Sequence, residues 1–119
     1  MVGNHNLEKN FASAVVYVHD NESQIKNFLI MLQQVFKEHF EKYEIIMVND
    51  ASSDTSVAII REVAKTFDDA VVSILNMSYF QGLELSMNAG KNLSIGDYVF
   101  EFDTVDVDIP KRLAISFSV

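Results

Sequence analysis

Cysteine and tryptophan are both absent from this chain of 119 residues, proline occurs once and glycine four times. Without cysteine, neither a disulfide framework nor a thiolate metal site can form; the expected setting is a reducing, cytoplasmic one. Basic residues are also scarce. Nine Lys and Arg stand against seventeen Asp and Glu, for a net charge of -8. Binding through nucleic-acid phosphates needs clustered Lys and Arg, so nucleic acid is set aside as a partner. An anionic ligand such as a nucleotide has to be held by backbone N–H groups or by a metal ion. The N-terminal stretch MVGNHNLEKNFAS has neither the basic start nor the apolar run of a signal peptide. No apolar run approaches the ~20 residues that cross a bilayer, and no membrane span is expected in this chain.

What is present fits one globular domain. The chain is 49% hydrophobic and 22% charged, an ordinary balance, and at this size roughly two-thirds of the unfolded surface can be buried. Residues 13–18 (SAVVYV) form a β-branched and aromatic run that reads as a strand buried on both faces. Asn21 is placed to cap a following helix, with Glu22 in its first turn. Ile25, Phe28, Leu29, Leu32, Val35 and Phe36 then recur at helical spacing through about His39. A second buried-type strand, 43–48 (YEIIMV), runs into Asn49 and Asp50. The turn ASSDTS follows, then a helical stripe of Val57, Ile60, Ala64 and Phe67, broken at Asp68 and Asp69. Residues 70–75 (AVVSIL) read as a third strand. Residues 81–93 read as a helix whose inward face is Gly82, Ser86 and Ala89 with Leu85 and Leu93. Gly90 inside it costs ~1 kcal/mol in helix propensity. Residues 97–102 are a fourth strand, and the tail 111–119 carries no assignment. Regular β-α alternation predicts an α/β, Rossmann-like parallel sheet with helices on both faces and right-handed crossovers.

In such sheets ligands bind beyond the carboxyl ends of the strands, and polar residues gather there. Strand one ends in His19, Asp20, Asn21 and Glu22; strand two in Asn49 and Asp50; strand three in Asn76; strand four in Asp103, with Asp106 and Asp108 beyond. Ser52, Ser53 and Asp54 are accounted for as turn and cap residues. Asp50 and Asp103, each directly after an apolar strand, are the stronger site candidates. Other chemistries find no support. There is no G-x-G-x-x-G or G-x-x-x-x-G-K-[ST] loop and no G-x-S-x-G elbow. His5, His19 and His39 lack metal-type spacing; His19 is expected to hydrogen-bond locally and His39 to lie exposed at a helix end. Asp103, Asp106 and Asp108 do not follow the EF-hand pattern.

The stretches SAVVYVHDNES, YEIIMVNDASSDTS and GLELSMNAGKNLSIGDYVFEFD resemble the signature segments of family 2 glycosyltransferases of the GT-A fold, in order and at the right spacing over about residues 13–110. The resemblance implies that this chain is the half that binds the nucleoside diphosphate of a sugar donor. By position, Asn21 and Glu22 match the N-E that lies against base and ribose. Asp50 matches the second acid of a D-D pair that contacts the base, and Asn49 stands where the first acid usually is. Asp103 matches the first Asp of D-x-D, near the ribose and a divalent cation, Mn²⁺ or Mg²⁺. The second Asp of that motif falls on Val105, which cannot ligate a cation; Asp106 is the candidate substitute. Asp20 stands where Tyr is common, Ala51 replaces the usual Gly, and MSYFQGLEL lacks the Arg of the corresponding region.

Two readings follow from the resemblance. In one, residues 1–119 form a single domain, the donor-binding part of an enzyme that transfers a sugar, with inversion, from a nucleotide-sugar of UDP type to an acceptor; the acceptor site and catalytic base lie in a further segment. In the other, the fold persists as a non-catalytic binding or assembly module, expected to self-associate through exposed sheet surface. A phosphoacceptor receiver domain is disfavoured, because strand three ends in LNMS and no fifth strand is evident.

Overall fold

The structure, a computed structural model, describes residues 7–68 and 70–105. Seven elements follow in strict alternation: β1 (Ala12–Val18), α1 (Ile25–His39), β2 (Tyr43–Asn49), α2 (Ser56–Ala64), β3 (Val71–Asn76), α3 (Leu83–Leu93) and β4 (Tyr98–Phe102). All strand pairings are parallel and the sheet order is β3-β2-β1-β4. The fold is the expected α/β parallel sheet. Side chains alternate across a strand, so the two faces of the sheet separate cleanly by parity. Ala12, Ala14, Val16 and Val18 of β1 and Ile45 and Met47 of β2 meet the apolar stripe of α1 and Ile60 and Val63 of α2. Val15 of β1 and Ile46 and Val48 of β2 meet Met87 of α3 on the opposite face. Phe36 anchors the larger core, edge-on to Phe100 and Phe102 of β4 at 5.5 and 6.4 Å between ring centres.

Several local expectations are corrected. Asn21 does not cap α1, nor does Glu22 lie in its first turn: the helix begins at Ile25 after a turn in which the Asn21 carbonyl accepts the N–H groups of Gln24 and Ile25. In α2 the buried residues are Ser56, Ile60 and Val63, and the helix ends at Ala64, so Phe67 packs on the core from beyond it. In α3 the inward residues are Ser86, Met87 and Gly90, whereas Leu85 and Leu93 are exposed by 57% and 50%. Gly82 precedes this helix with φ of +92°. β3 and β4 are not buried on both faces, because they form the two edges of the sheet.

Gly90 explains how close α3 comes. A Cβ there would lie 2.6 Å from Val15 Cγ1 and from Val48 Cγ2, so the bare helix backbone rests directly on β1 and β2. At the amino edge of the sheet, the buried Glu44 carboxylate accepts from the Ser13 hydroxyl and from Ile95 N–H at 2.9 Å, and Gly96 N–H donates to Ser13 Oγ at 2.8 Å. These contacts fix the α3–β4 connection. The chain therefore crosses from β3, at one edge, to β4 at the other. The order reverses beside β1, and in open α/β sheets ligands bind outside the carboxyl ends of the strands at such a reversal.

Candidate functional site

The loops after β1 and β2 are stitched together by side chains binding backbone. Asp20, in the left-handed region at φ of 53°, accepts the N–H groups of Ser53 and Asp54 at 2.7 and 3.2 Å. Glu22 accepts Thr55 N–H and Oγ1–H at 3.1 and 2.6 Å. Asp54 accepts Glu22 N–H in return at 3.1 Å and Ser56 N–H at 2.9 Å. Burial alone would raise the Asp54 pKa, but these bonds outweigh it and hold the carboxyl below its ordinary range. Asn21 takes His19 N–H on its side-chain oxygen at 2.8 Å. Asn49 donates to the Asn76 side chain at 2.9 Å and accepts Ser52 N–H at 3.1 Å, tying the ends of β2 and β3. Ser52, Asp54 and their neighbours thus serve the turn chemistry expected of them, with acids from the β1 loop as partners.

Asp50 has a different task. It is 0% exposed. One carboxylate oxygen accepts Gln81 N–H at 2.7 Å; the other accepts Gly82 N–H at 2.9 Å and the Tyr17 hydroxyl at 2.7 Å. The carboxylate closes the amino end of α3, where backbone N–H groups lack partners within the helix. Burial opposes its charge, yet the bonds from Tyr17, Gln81 and Gly82 prevail and lower its pKa. Ser86, fully buried one turn into the helix, makes no hydrogen bond of ordinary geometry, but its hydroxyl lies near enough to favour the same charge. Tyr17 is pushed the other way: burial, then the bond to Asp50, raises its phenol well above its usual range. The sequence held a signal for Tyr17, since β1 parity places it with Val15 on the α3 face. No periodicity marked Gln81 or Gly82 as partners of Asp50.

On the other side of β1, Asp103 follows β4 directly. It is exposed and has no hydrogen-bond partner among the described residues. Val105, two residues on, is only 4% exposed and packs in the core beneath α1. The position that the family pattern gives to a metal ligand thus points inward here, where a charge would be costly. Asp106 and Asp108 lie outside the described residues, as does the tail 111–119. Among the described residues no three acidic or histidine side chains come together to hold a metal ion, and Asp103 by itself does not make a cation site.

Above β1, His19 Nδ1 lies 2.6 Å from the Asp50 carbonyl oxygen, the local bond expected of it. Its ring meets Phe80 edge-on, 4.9 Å between centres, and Phe80 is 58% exposed. Phe80 went unnoticed in the sequence because nothing in an irregular loop predicts which side chain faces out. The structure therefore brings Asn21, Glu22, Asn49, Asp50 and Asp103 to one edge of the sheet. Glu22, Asn49 and Asp50 are tied by their side chains to neighbouring loops, Asn21 is tied by its backbone N–H to Ser56 Oγ at 2.9 Å, and Asp103 is open to solvent.

The profile of glycosyl transferase family 2 matches residues 13–114. An undecaprenyl-phosphate 4-deoxy-4-formamido-L-arabinose transferase of Proteus mirabilis (strain HI4320) is 34% identical over 101 residues, 84% of this chain and 29% of that protein. The uncharacterized glycosyltransferase YkcC of Bacillus subtilis (strain 168) is 31% identical over 103 residues, 87% of this chain and 31% of that protein. This chain thus spans less than a third of the length of either relative. A similar fold occurs in the mannosyltransferase PcManGT from Pyrobaculum calidifontis, solved in complex with GDP-Man and Mn²⁺, with a TM-score of 0.67 at 18% identity over 77% of this chain and 26% of that one. No helix among the described residues is long and apolar enough to cross a membrane. A parallel sheet in the order 3-2-1-4, with its polar residues at the carboxyl edge and a profile match over most of its length, makes this chain a member of glycosyl transferase family 2.

Proposed function

We propose that this chain is the donor-binding part of an enzyme that transfers a sugar, with inversion, from a nucleotide-sugar to an acceptor. The observation that carries the reading is the reversal of strand order beside β1, with the exposed Asp103 after β4 and the cross-bonded loops after β1 and β2 on the same edge. In this reading Asn21, Glu22 and Asn49 lie beside the nucleotide, Asp50 acts from behind by fixing α3, and Asp103 is the carboxylate that meets the ribose or a cation bound with the diphosphate. Mn²⁺ or Mg²⁺ enters this proposal through Asp103 and Asp106. A uridine nucleotide is the first donor to test and a guanosine one the second, since the solved structural neighbour holds GDP-Man. A polyprenyl-phosphate acceptor is the first acceptor class to test, because one relative is named for it. The acceptor site and the base that deprotonates the acceptor are assigned outside this span. The cytoplasmic location belongs to the same proposal and rests on composition.

Calorimetric or NMR titration with UDP, GDP and their sugars, with and without Mn²⁺, tests it. Saturable binding is expected, and it should weaken in Asp103→Ala. The absence of binding up to millimolar nucleotide rejects a donor site. A second reading, a non-catalytic assembly module, is favoured by the inward Val105 and by Leu85, Leu93, Ile95 and Val99, all exposed on or beside α3 and β4. Self-association of the purified chain without nucleotide binding would select it.

A further inference from the structure

At the carboxyl edge the charged groups are largely spoken for, while aromatic surface in the loop after β3 stands exposed. Asp50 has no exposed surface, and its oxygens already accept three hydrogen bonds from Tyr17, Gln81 and Gly82. Reaching a ligand would mean giving up the amino end of α3. Asn49 is nearly buried, and both ends of its amide are bonded. Neither residue is available to a base. Of the two exposed aromatics in the loop after β3, Tyr79 at 69% and Phe80 at 58%, Phe80 is the one whose ring meets His19 at the end of β1.

Its loop is anchored at both ends. Met77 N–H donates to the Asn49 carbonyl at 2.9 Å, and Gln81 and Gly82 are clamped by Asp50. The ring is oriented as well. His19 Nδ1 lies 2.6 Å from the Asp50 carbonyl oxygen and Nε2 lies 3.5 Å from Asp20 Oδ2, so the imidazole is held from both of its nitrogens. The His19 and Phe80 rings meet edge-on at 4.9 Å and 62°, which leaves no room for a third ring between them. The open side of Phe80 remains. A planar, uncharged ring stacks on such a surface whatever the local charge, and the acidic edge sets no barrier to it.

We propose that the outer face of Phe80, held in place by His19, is the platform on which the base of the donor nucleotide stacks. This rests on the donor-site reading above and assigns its base subsite. Stacking reads ring area more than hydrogen-bonding pattern, so discrimination between uracil and guanine is expected to be weak, with the purine bound at least as well.

The test is titration of wild type, Phe80→Ala and Phe80→Tyr with UDP and GDP, and with inorganic diphosphate as a probe that has no base. Phe80→Ala should weaken both nucleotides about ten-fold and leave inorganic diphosphate unchanged, with Phe80→Tyr restoring nucleotide affinity. Because the side chain is exposed, the melting temperature should not move. Unchanged UDP and GDP affinity in Phe80→Ala overturns the assignment while leaving the donor site standing, and so does an equal loss for diphosphate. If the wild-type chain binds no nucleotide at all, the donor-site reading fails first and this inference with it.

Discussion

Asp50 shows how a residue can stand where a ligand contact is expected and be consumed by the fold. An apolar strand ending in an acid at the carboxyl edge of a parallel sheet is a reasonable place for a ligand contact. The structure turns the side chain back toward Tyr17 and the start of α3. Replacing it with Asn keeps the volume but leaves one acceptor oxygen for three donors. A loss of roughly 2–4 kcal/mol is expected on Asp50→Asn, from donors left unsatisfied in the interior, read as a shift in the urea unfolding midpoint. The sign of the pH dependence follows from the lowered pKa. Asp50 titrates near 3.8 when unfolded and below that when folded, so its contribution is complete above about pH 4 and fades as pH falls through the folded value. Asp54, also lowered, acts in the same direction. Urea midpoints measured between about pH 6 and pH 2 should fall on acidification, and less steeply in Asp50→Asn than in wild type. Val105 carries the complementary lesson. Three residues past the end of β4 the chain turns its side chain into the core, so this position is apolar for packing reasons.

At the level of elements, α3 is the part that sequence patterning misread and tertiary contact explains. Its apolar residues Leu85 and Leu93 suggested an inward face, yet the helix rests on Ser86, Met87 and Gly90. The reason is distance. One small and one bare position, Ser86 and Gly90, let the helix axis approach β1 and β2 closely, and Gly90 meets the Val15 and Val48 methyl groups where a Cβ would stand. Alanine there gains up to ~1 kcal/mol of helix propensity but must displace two buried β-branched side chains, at about 1–3 kcal/mol. Gly90→Ala is therefore expected to lower the melting temperature, despite the general preference for Ala in helices. An increase would show that α3 can lift off the sheet at little cost. The apolar positions of α1 and β2, many and regularly spaced, are buried as expected because local pattern and tertiary burial agree there, although α1 starts at Ile25, later than a cap at Asn21 implied.

For the molecule as a whole, the sheet is central in β1 and β2 and marginal in β3 and β4. Among the described residues, α1 and α2 cover one face and α3 lies on the other, and apolar side chains near α3 and β4 are open to water: Leu85, Leu93, Ile95 and Val99 are each at least 41% exposed. A patch of this kind drives association unless something covers it. The chain is expected to self-associate as concentration rises, seen as growing mass by light scattering. Leu85→Glu with Leu93→Lys should shift it toward monomer with little change in unfolding free energy, since both side chains are largely exposed already. A monomer at every concentration in the wild type would show that the net charge of -8 is enough to keep copies apart.

Order and type of the elements could be written from the chain itself, because buried strands and amphipathic helices impose periods of two and 3.6 that survive in one dimension. So could the gathering of polar residues at one edge, since every parallel strand delivers its end there. Which strands lie at the centre, which face of α3 is inward and which acids remain open could not be read that way. Those depend on long-range approach: Gly90 against Val15 and Val48, Asp50 against Tyr17 and Gln81, Asp20 and Glu22 against the backbone of the β2 loop. A carboxylate looks the same in sequence whether it caps a helix or faces a ligand. It is the position of N–H groups some thirty residues away that encloses Asp50, whereas Asp103 meets no such donor among the described residues.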